Sequence, residues 1–120
     1  MLIKVKDLRP KSNDVNLLVK VVNVRKASRK GQRSRRVFLC KVGDETATIE
    51  LRVTDNQVDI VKKGSTLILY KAKIDVIEGS MELMVPAHGN IQVQQESATF
   101  AVKEDNNMSV IEWNKFQILA

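Results

Sequence analysis

Seven of the twelve residues from Arg25 to Arg36 (RKASRKGQRSRR) are Lys or Arg, and none is acidic. The chemistry open to such a segment is ionic: guanidinium and ammonium groups pair with phosphate oxygens and neither make nor break bonds. Without Arg25, Lys26, Arg29, Lys30, Arg33, Arg35 and Arg36 the chain holds 13 basic and 14 acidic residues, so its net charge of +6 rests on this one stretch. A surplus concentrated in that way is the footprint of a contact with a polyanion. A solvated loop or a nuclear-targeting signal would carry the same composition. Arg25-Lys26-Ala27-Ser28 also has the form of a site for a base-directed kinase, and a phosphate on Ser28 would take about 1.5 to 2 charges off the segment.

Groups suited to catalysis are sparse. The chain has one His, His88, and one Cys, Cys40, with no partner set near either in sequence. A nucleophile needs a base within reach, and a metal site needs several clustered ligands. His88 in Pro-Ala-His-Gly-Asn reads as a surface loop residue, and Glu78 and Glu82 beside a turn read as a solvated pair. Gly43-Asp44-Glu45-Thr46 lacks the Gly-rich spacing and the Lys of a phosphate loop. Cys40 lies in an alternating apolar run and reads as a buried thiol in a reducing compartment. The expectation is a protein that is not an enzyme and has no cofactor and no metal.

The elements that must present the cations follow from apolar periodicity. Leu2 to Leu8 is a short lead, and Arg9-Pro10-Lys11-Ser12-Asn13-Asp14 is a turn cluster. Val15 to Lys26 is the longest strand-like run. Val15, Leu17, Val19 and Val21 share one face and Val22 and Val24 continue on the other, a parity switch that predicts a bulge or strong bend. Val37 to Val42 places Phe38, Cys40 and Val42 inward and Leu39 and Lys41 outward, before a hairpin turn at Gly43-Asp44-Glu45. Thr46 to Thr54 alternates Ala47, Ile49, Leu51 and Val53 against Thr48, Glu50, Arg52 and Thr54, which predicts one core face and one wet face.

Asp55-Asn56 supplies an N-cap for a short helix that ends at Lys62-Lys63-Gly64. Ser65 to Ile77 sets Leu67 and Leu69 in one register and Ala72, Ile74 and Val76 in the other, leaving Lys71, Lys73, Asp75 and Ile77 outward. Glu78-Gly79 turns the chain into Ser80 to Val85, with Met84 outward, and Ile91 to Val93 is a strand remnant. At 120 residues the chain reads as one domain, a core of about 5–95 and a C-terminal extension of about 96–120. Phe100, Val102, Val110, Ile111, Trp113, Phe116 and Ile118 would pack that extension on the body or on a partner. Nothing approaches a membrane span or a signal peptide, so an intracellular, nuclear or cytoplasmic protein with no membrane partner is expected.

Three adjacent strands, a short capped helix and a two-stranded hairpin form the order of an all-β, five-stranded Greek-key barrel, the OB-fold, here with a C-terminal β extension. Such barrels bind oligonucleotides with the outer faces of their second and third strands and with the loops joining strands one to two and four to five. Those regions include the basic segment, Lys41 and Arg52, and the neighbouring outward positions are Lys71, Lys73, Ile77 and Met84. These residues and the seven cations form the candidate nucleic-acid site. The expected partner is a single strand of DNA or RNA. The alternative is a protein-interaction subunit with little nucleic-acid affinity that docks through its C-terminal extension.

The chain also resembles a known family from Val5-Lys6-Asp7-Leu8-Arg9-Pro10 to about Trp113. The residues that carry the likeness are Cys40 to Thr46 (CKVGDET), Asp55 to Lys62 (DNQVDIVK), Lys71 to Ser80 (KAKIDVIEGS) and Phe100 to Ser109 (FAVKEDNNMS). They are similar to the single-OB-fold proteins related to eukaryotic and archaeal simple single-stranded DNA-binding proteins, and most of all to a plant member. The resemblance implies single-strand binding without catalysis, often within larger assemblies. It also implies base-stacking aromatics at positions matching Thr54, Lys73 and Ile77, none of which is aromatic here. Each such platform contributes about 1 to 3 kcal/mol, so the sequence predicts salt-sensitive phosphate contact with slight base preference.

Overall fold

The computed structural model describes residues 2–27, 37–96 and 99–110. In chain order these hold β1 (Leu2–Ile3), a 3-10 turn at Val5–Asp7, β2 (Val15–Ala27), β3 (Val37–Gly43), β4 (Thr48–Val53), the four-residue helix α1 (Asp55–Val58), β5 (Thr66–Ile77), β6 (Ser80–Met84), β7 (Asn90–Gln94) and a 3-10 turn at Met108–Val110. The strands pair in the order β1-β2-β3-β4-β6-β5-β7, and β2 also pairs with β5. Strands β2, β3, β4, β6 and β5 therefore close into a ring, with β1 and β7 attached to it. Pairing around the ring is antiparallel except between β4 and β6, which run parallel.

Closure depends on two irregularities that the apolar pattern encodes. β2 gives Val15 to Lys20 to β5 and Lys20 to Ala27 to β3. Its register slips between Val21 and Asn23, which is where the apolar parity switches. A bulge there bends the strand so that it serves both neighbours. The second slip lies opposite Asn16, where Val15 pairs with Ala72 but Leu17 with Leu69. Lys71 takes the extra place at φ 55°, and its N–H donates to Asn16 Oδ1 at 2.9 Å. Leu69 and Ala72 thus both face inward although three residues apart.

The core is read across the strands. Val24, Cys40, Leu51, Leu83 and Ile74 follow one another in register around the ring, and all belong to or pack on the buried cluster. Val5 and Leu8, on the lead segment, are fully buried and close one end. Burial at this density explains why a domain so poor in aromatics holds together, since each Val, Leu or Ile removed from water contributes roughly 1.5 to 3 kcal/mol.

Several expectations change. Leu39, expected outward, is buried, and so are Thr48 and Glu82. Val76, expected inward, is 39 % exposed near the tip of the β5–β6 hairpin. The residue preceding α1 is Thr54, not Asp55 or Asn56, and its N–H donates to Gln57 Oε1 at 3.2 Å. The strand remnant at 91–93 is a full strand, β7, paired along Thr66 to Tyr70 of β5. The described part of the C-terminal extension forms an isolated bridge from Asn107 to Thr48 and a 3-10 turn, so no named strand occupies 99–110. Ile111, Trp113, Phe116 and Ile118, with the side chain of Val110, lie outside the described residues.

Asp44 joins three parts of the chain. Its carboxylate accepts from the Val5 N–H at 2.9 Å, from the Thr46 N–H at 2.8 Å and from the Thr46 hydroxyl at 2.6 Å. Its carbonyl accepts from the Lys103 N–H at 3.0 Å. Asp44→Ala leaves buried donors unpaired, and the expected loss is about 3 kcal/mol, seen as a lower denaturation midpoint at unchanged slope. Burial, with a smaller contribution from Glu50, pushes the Cys40 thiol up to about 11. Native protein at pH 8 is expected to react with thiol reagents far more slowly than unfolded protein, and fast native labelling would reverse the assignment of the β3 faces.

Candidate nucleic-acid interface

The outer face of the ring is organised in rows that follow from strand register. Arg25 on β2 pairs with Leu39, Leu39 with Arg52, Arg52 with Met84 and Met84 with Lys73. Two residues further along each strand, Asn23, Lys41, Glu50, Glu82 and Asp75 form the next row. One row is thus cationic with two apolar spacers, and its neighbour carries three carboxylates. The Ala27 and Val37 pair, from which the segment 28–36 departs and to which it returns, lies beside the cationic row. With strands about 4.8 Å apart, a row of five spans about 19 Å.

The carboxylates are not idle. Arg52 reaches Asp75 Oδ2 at 2.8 Å and Glu82 Oε1 at 3.5 Å, and its NH2 also lies 3.1 Å from Met84 Sδ. Arg25 lies 3.7 Å from Glu50 Oε1, and Lys41 lies 3.5 Å from Glu104 Oε1. Like charges directly opposite across strands repel, and Arg52 and Arg25 relieve that repulsion among Glu50, Glu82 and Asp75. Glu82 is therefore a buried structural partner of Arg52, not the solvated surface group the sequence suggested. Among the described residues Lys71 and Lys73 form no ion pair.

The structure sorts the candidate residues accordingly. Arg25, Arg52, Met84 and Lys73 come together in the cationic row, Lys41 stands in the acidic row, and Lys71 sits at the β5 bulge. Ile77 pairs with Ser80, on the far side of the acidic row from the cations. Arg29, Lys30, Arg33, Arg35 and Arg36, with Ser28 of the kinase-like motif and the side chain of Lys26, lie outside the described residues. His88 is 63 % exposed and 3.6 Å from Asp14. Among the described residues no group of His, Cys, Asp and Glu is placed to hold a metal.

Two features of this face escape one-dimensional reading. The first is the seam between β4 and β6, which pair only at Glu50 to Arg52. Beyond it the C-terminal strap takes over: Asn106 O accepts from the Thr48 N–H at 2.9 Å, and Ser109 Oγ accepts from the Glu50 N–H at 2.9 Å while donating to Met81 O at 2.7 Å. The second is a cavity of about 680 Å³ at the cationic end of the face, walled by Arg52, Thr54, Gln57, Met84, Val85, Pro86, Asn90 and others. The available signal for the acidic row was parity, since Glu50 and Arg52 alternate with the same period as Asp75 and Lys73.

The chain is an all-β protein with the OB fold. Residues 8–93 match the family described as single-stranded DNA binding protein Ssb-like, OB fold, and the chain belongs to that family. It is 36 % identical to the uncharacterized protein At4g28440 of Arabidopsis thaliana over 97 % of this chain and 83 % of the relative. A solution structure of a hypothetical protein from Arabidopsis thaliana superposes with a TM-score of 0.83 at 32 % identity, covering 96 % of this chain and 87 % of the other. Two distant structures share the fold. A replication factor A related protein from Methanobacterium thermoautotrophicum gives a TM-score of 0.60 at 11 % identity, over 79 % of this chain and 92 % of that one. A replication protein A heterotrimer bound to ssDNA gives 0.63 at 13 %, over 84 % of this chain and 26 % of that one. No helix among the described residues is long and apolar enough to cross a membrane.

Ser109→Ala would strip partners from a part-buried N–H and a buried C=O at the β4–β6 seam. A loss of about 2 kcal/mol is expected, measured by chemical denaturation. Hydrogen exchange of the Glu50 amide should accelerate in the same variant, because that amide loses its acceptor.

Proposed function

We propose that the chain binds single-stranded DNA or RNA across the outer face of β2, β3, β4, β6 and β5, with the phosphate backbone lying along the cationic row and against the basic segment 28–36. The observation that carries the reading is the register that sets Arg25, Arg52 and Lys73 in one row beside the paired ends of that segment. The five-stranded ring, with α1 between β4 and β5, is read as a Greek-key barrel, and membership of the Ssb-like OB-fold family supports the same use of its outer face. A row of about 19 Å suits the short end of the 4 to 16 nucleotides that one OB-fold engages. The acidic row bounds the path, because a phosphate displaced toward Glu50, Glu82 and Asp75 meets carboxylates.

Docking to a protein through the C-terminal extension is the second reading. Part of 99–110 is committed to the body: Met108 and Ser109 are buried, and Val102 packs where a Cβ on Gly43 would lie 2.8 Å from it. Thr99, Ala101 and Lys103 to Asp105 stay exposed and are what residues 99–110 offer a partner.

Fluorescence anisotropy with a labelled single strand at several salt concentrations tests the first reading. Engaging four or five phosphates gives a slope of log affinity against log salt near −3, at about 0.7 per phosphate. Replacing Arg33, Arg35 and Arg36 with Ala should weaken binding to every sequence and flatten that slope. Lys73→Ala should do so less. Asp75→Asn, which removes the negative charge 2.8 Å from Arg52, should raise affinity several-fold. A triple variant that binds with unchanged affinity and slope would transfer the case to protein docking.

A further inference from the structure

We propose that the cavity between α1, the end of β6 and the β6–β7 connection receives one unstacked base of a single strand lying along the cationic row. The inference rests on the reading of that row as a strand-binding surface and adds to it a place where sequence is sensed. At about 680 Å³ the cavity falls within the size range of small-molecule sites, with room for a base and part of its sugar. Ile60, Met84, Val85 and Pro86 give it apolar walls, and Thr54 and Asn90 add polar groups. That combination suits a base, whose faces are apolar and whose edge carries donors and acceptors.

Position supports the assignment. Arg52 and Met84 belong both to the cationic row and to the cavity wall, so a strand held on the row passes the mouth. Val37, the first described residue after the basic segment, also lines it. The walls are held in place without a ligand. Gln57 Nε2 donates to Val85 O at 2.9 Å while its Oε1 accepts from the Thr54 N–H at 3.2 Å. Gly89 passes so close to β5 that a Cβ there would meet Tyr70 O at 2.5 Å, which fixes the β6–β7 connection. Among the described residues the Asn90 side-chain amide makes no hydrogen bond, so its donor and its acceptor are both open to a base edge.

The consequence is base preference at one position of a bound strand and near indifference elsewhere. The test uses the full chain and the shortest oligonucleotide that still binds, with a single abasic site placed at each position in turn and affinity read by anisotropy. One position is expected to cost about tenfold, the loss of one base contact, and the others much less. Asn90→Asp keeps an acceptor, removes the donor and adds a charge, so overall affinity should fall while at that position preference shifts toward adenine and cytosine, which present amino groups. The exposed position of Asn90 makes misfolding of this variant a poor explanation, and its melting temperature checks the point. Equal penalties at every position, or a position-specific penalty and preference that Asn90→Asp leaves untouched, overturn the cavity proposal while the row keeps its role. Absence of binding to any single strand overturns both.

Discussion

A single residue, Asp44, ties the lead segment to the ring through its carboxylate and the strap through its backbone carbonyl. It is 1 % exposed, a burial that would be prohibitive for an isolated charge. Donors from Val5, Thr46 and Ala47 surround it, so the charge is solvated by the fold itself. The geometry demands each neighbour in turn. Gly43 must lack a side chain, because a Cβ there would lie 2.6 Å from Ala47 O and 2.8 Å from Val102. Val5 must be in its 3-10 turn for its N–H to reach Asp44, and that turn carries Val5 and Leu8 into the end of the core. The Lys103 N–H then ties the strap to the Asp44 carbonyl. The turn that reads from sequence as a plain hairpin is the junction of the lead segment, the hairpin and the strap.

The strap answers a problem created by the topology. A five-strand ring that closes through a parallel pair has one weak seam, and here β4 and β6 share only three paired positions. Past Glu50 the backbone groups of β4 would face one another's strands without partners, and such groups are costly when buried. Asn106 and Ser109 supply those partners with one carbonyl and one hydroxyl. Lys20 anchors the start of the strap, donating to Phe100 O at 3.0 Å with its ammonium 5.5 Å from the ring centroid, a contact in which charge and aromatic face attract. Thr48 and Glu50, written as wet positions of an alternating strand, lose much of their solvent because the strap lies over them.

Much of the fold was legible in one dimension because period-two patterning and turn chemistry are local. The β2 bulge announced itself as a parity switch, and the β5 bulge as the change of register between Leu69 and Ala72. Glu78 and Gly79, at φ 52° and 85°, form a two-residue turn in which Gly79 takes the place its type favours. What was not legible is non-local. β7 has only Ile91 and Val93 as apolar residues, and it is a strand because the first half of β5 offers it a free edge. Burial of Leu39, Thr48 and Glu82 depends on what crosses over them. The candidate site shows the same division: the cations were visible as residues, but their carboxylate partners became visible only when five strands were laid in register. Val37, Gln57 and Asn90, which sit at element ends, came together only when the ring closed.

The balance of charge on the outer face then bears on how such a surface works. A sheet face of uniformly positive residues would attract any polyanion and would repel itself. Here Arg52 is held between Asp75 and Glu82, 18 % exposed along its side chain, so its guanidinium is oriented before any ligand arrives. Such preorganisation lowers the ordering cost of binding, while the same carboxylates weaken attraction at long range. On the proposed binding mode, long-range attraction falls instead to the segment 28–36, whose five cations have no acidic residue among them. In that proposed mode, capture falls to the basic segment and alignment to the cationic row. Binding strength and its salt dependence should therefore follow the segment, and the register of a bound strand should follow Arg52 and Lys73.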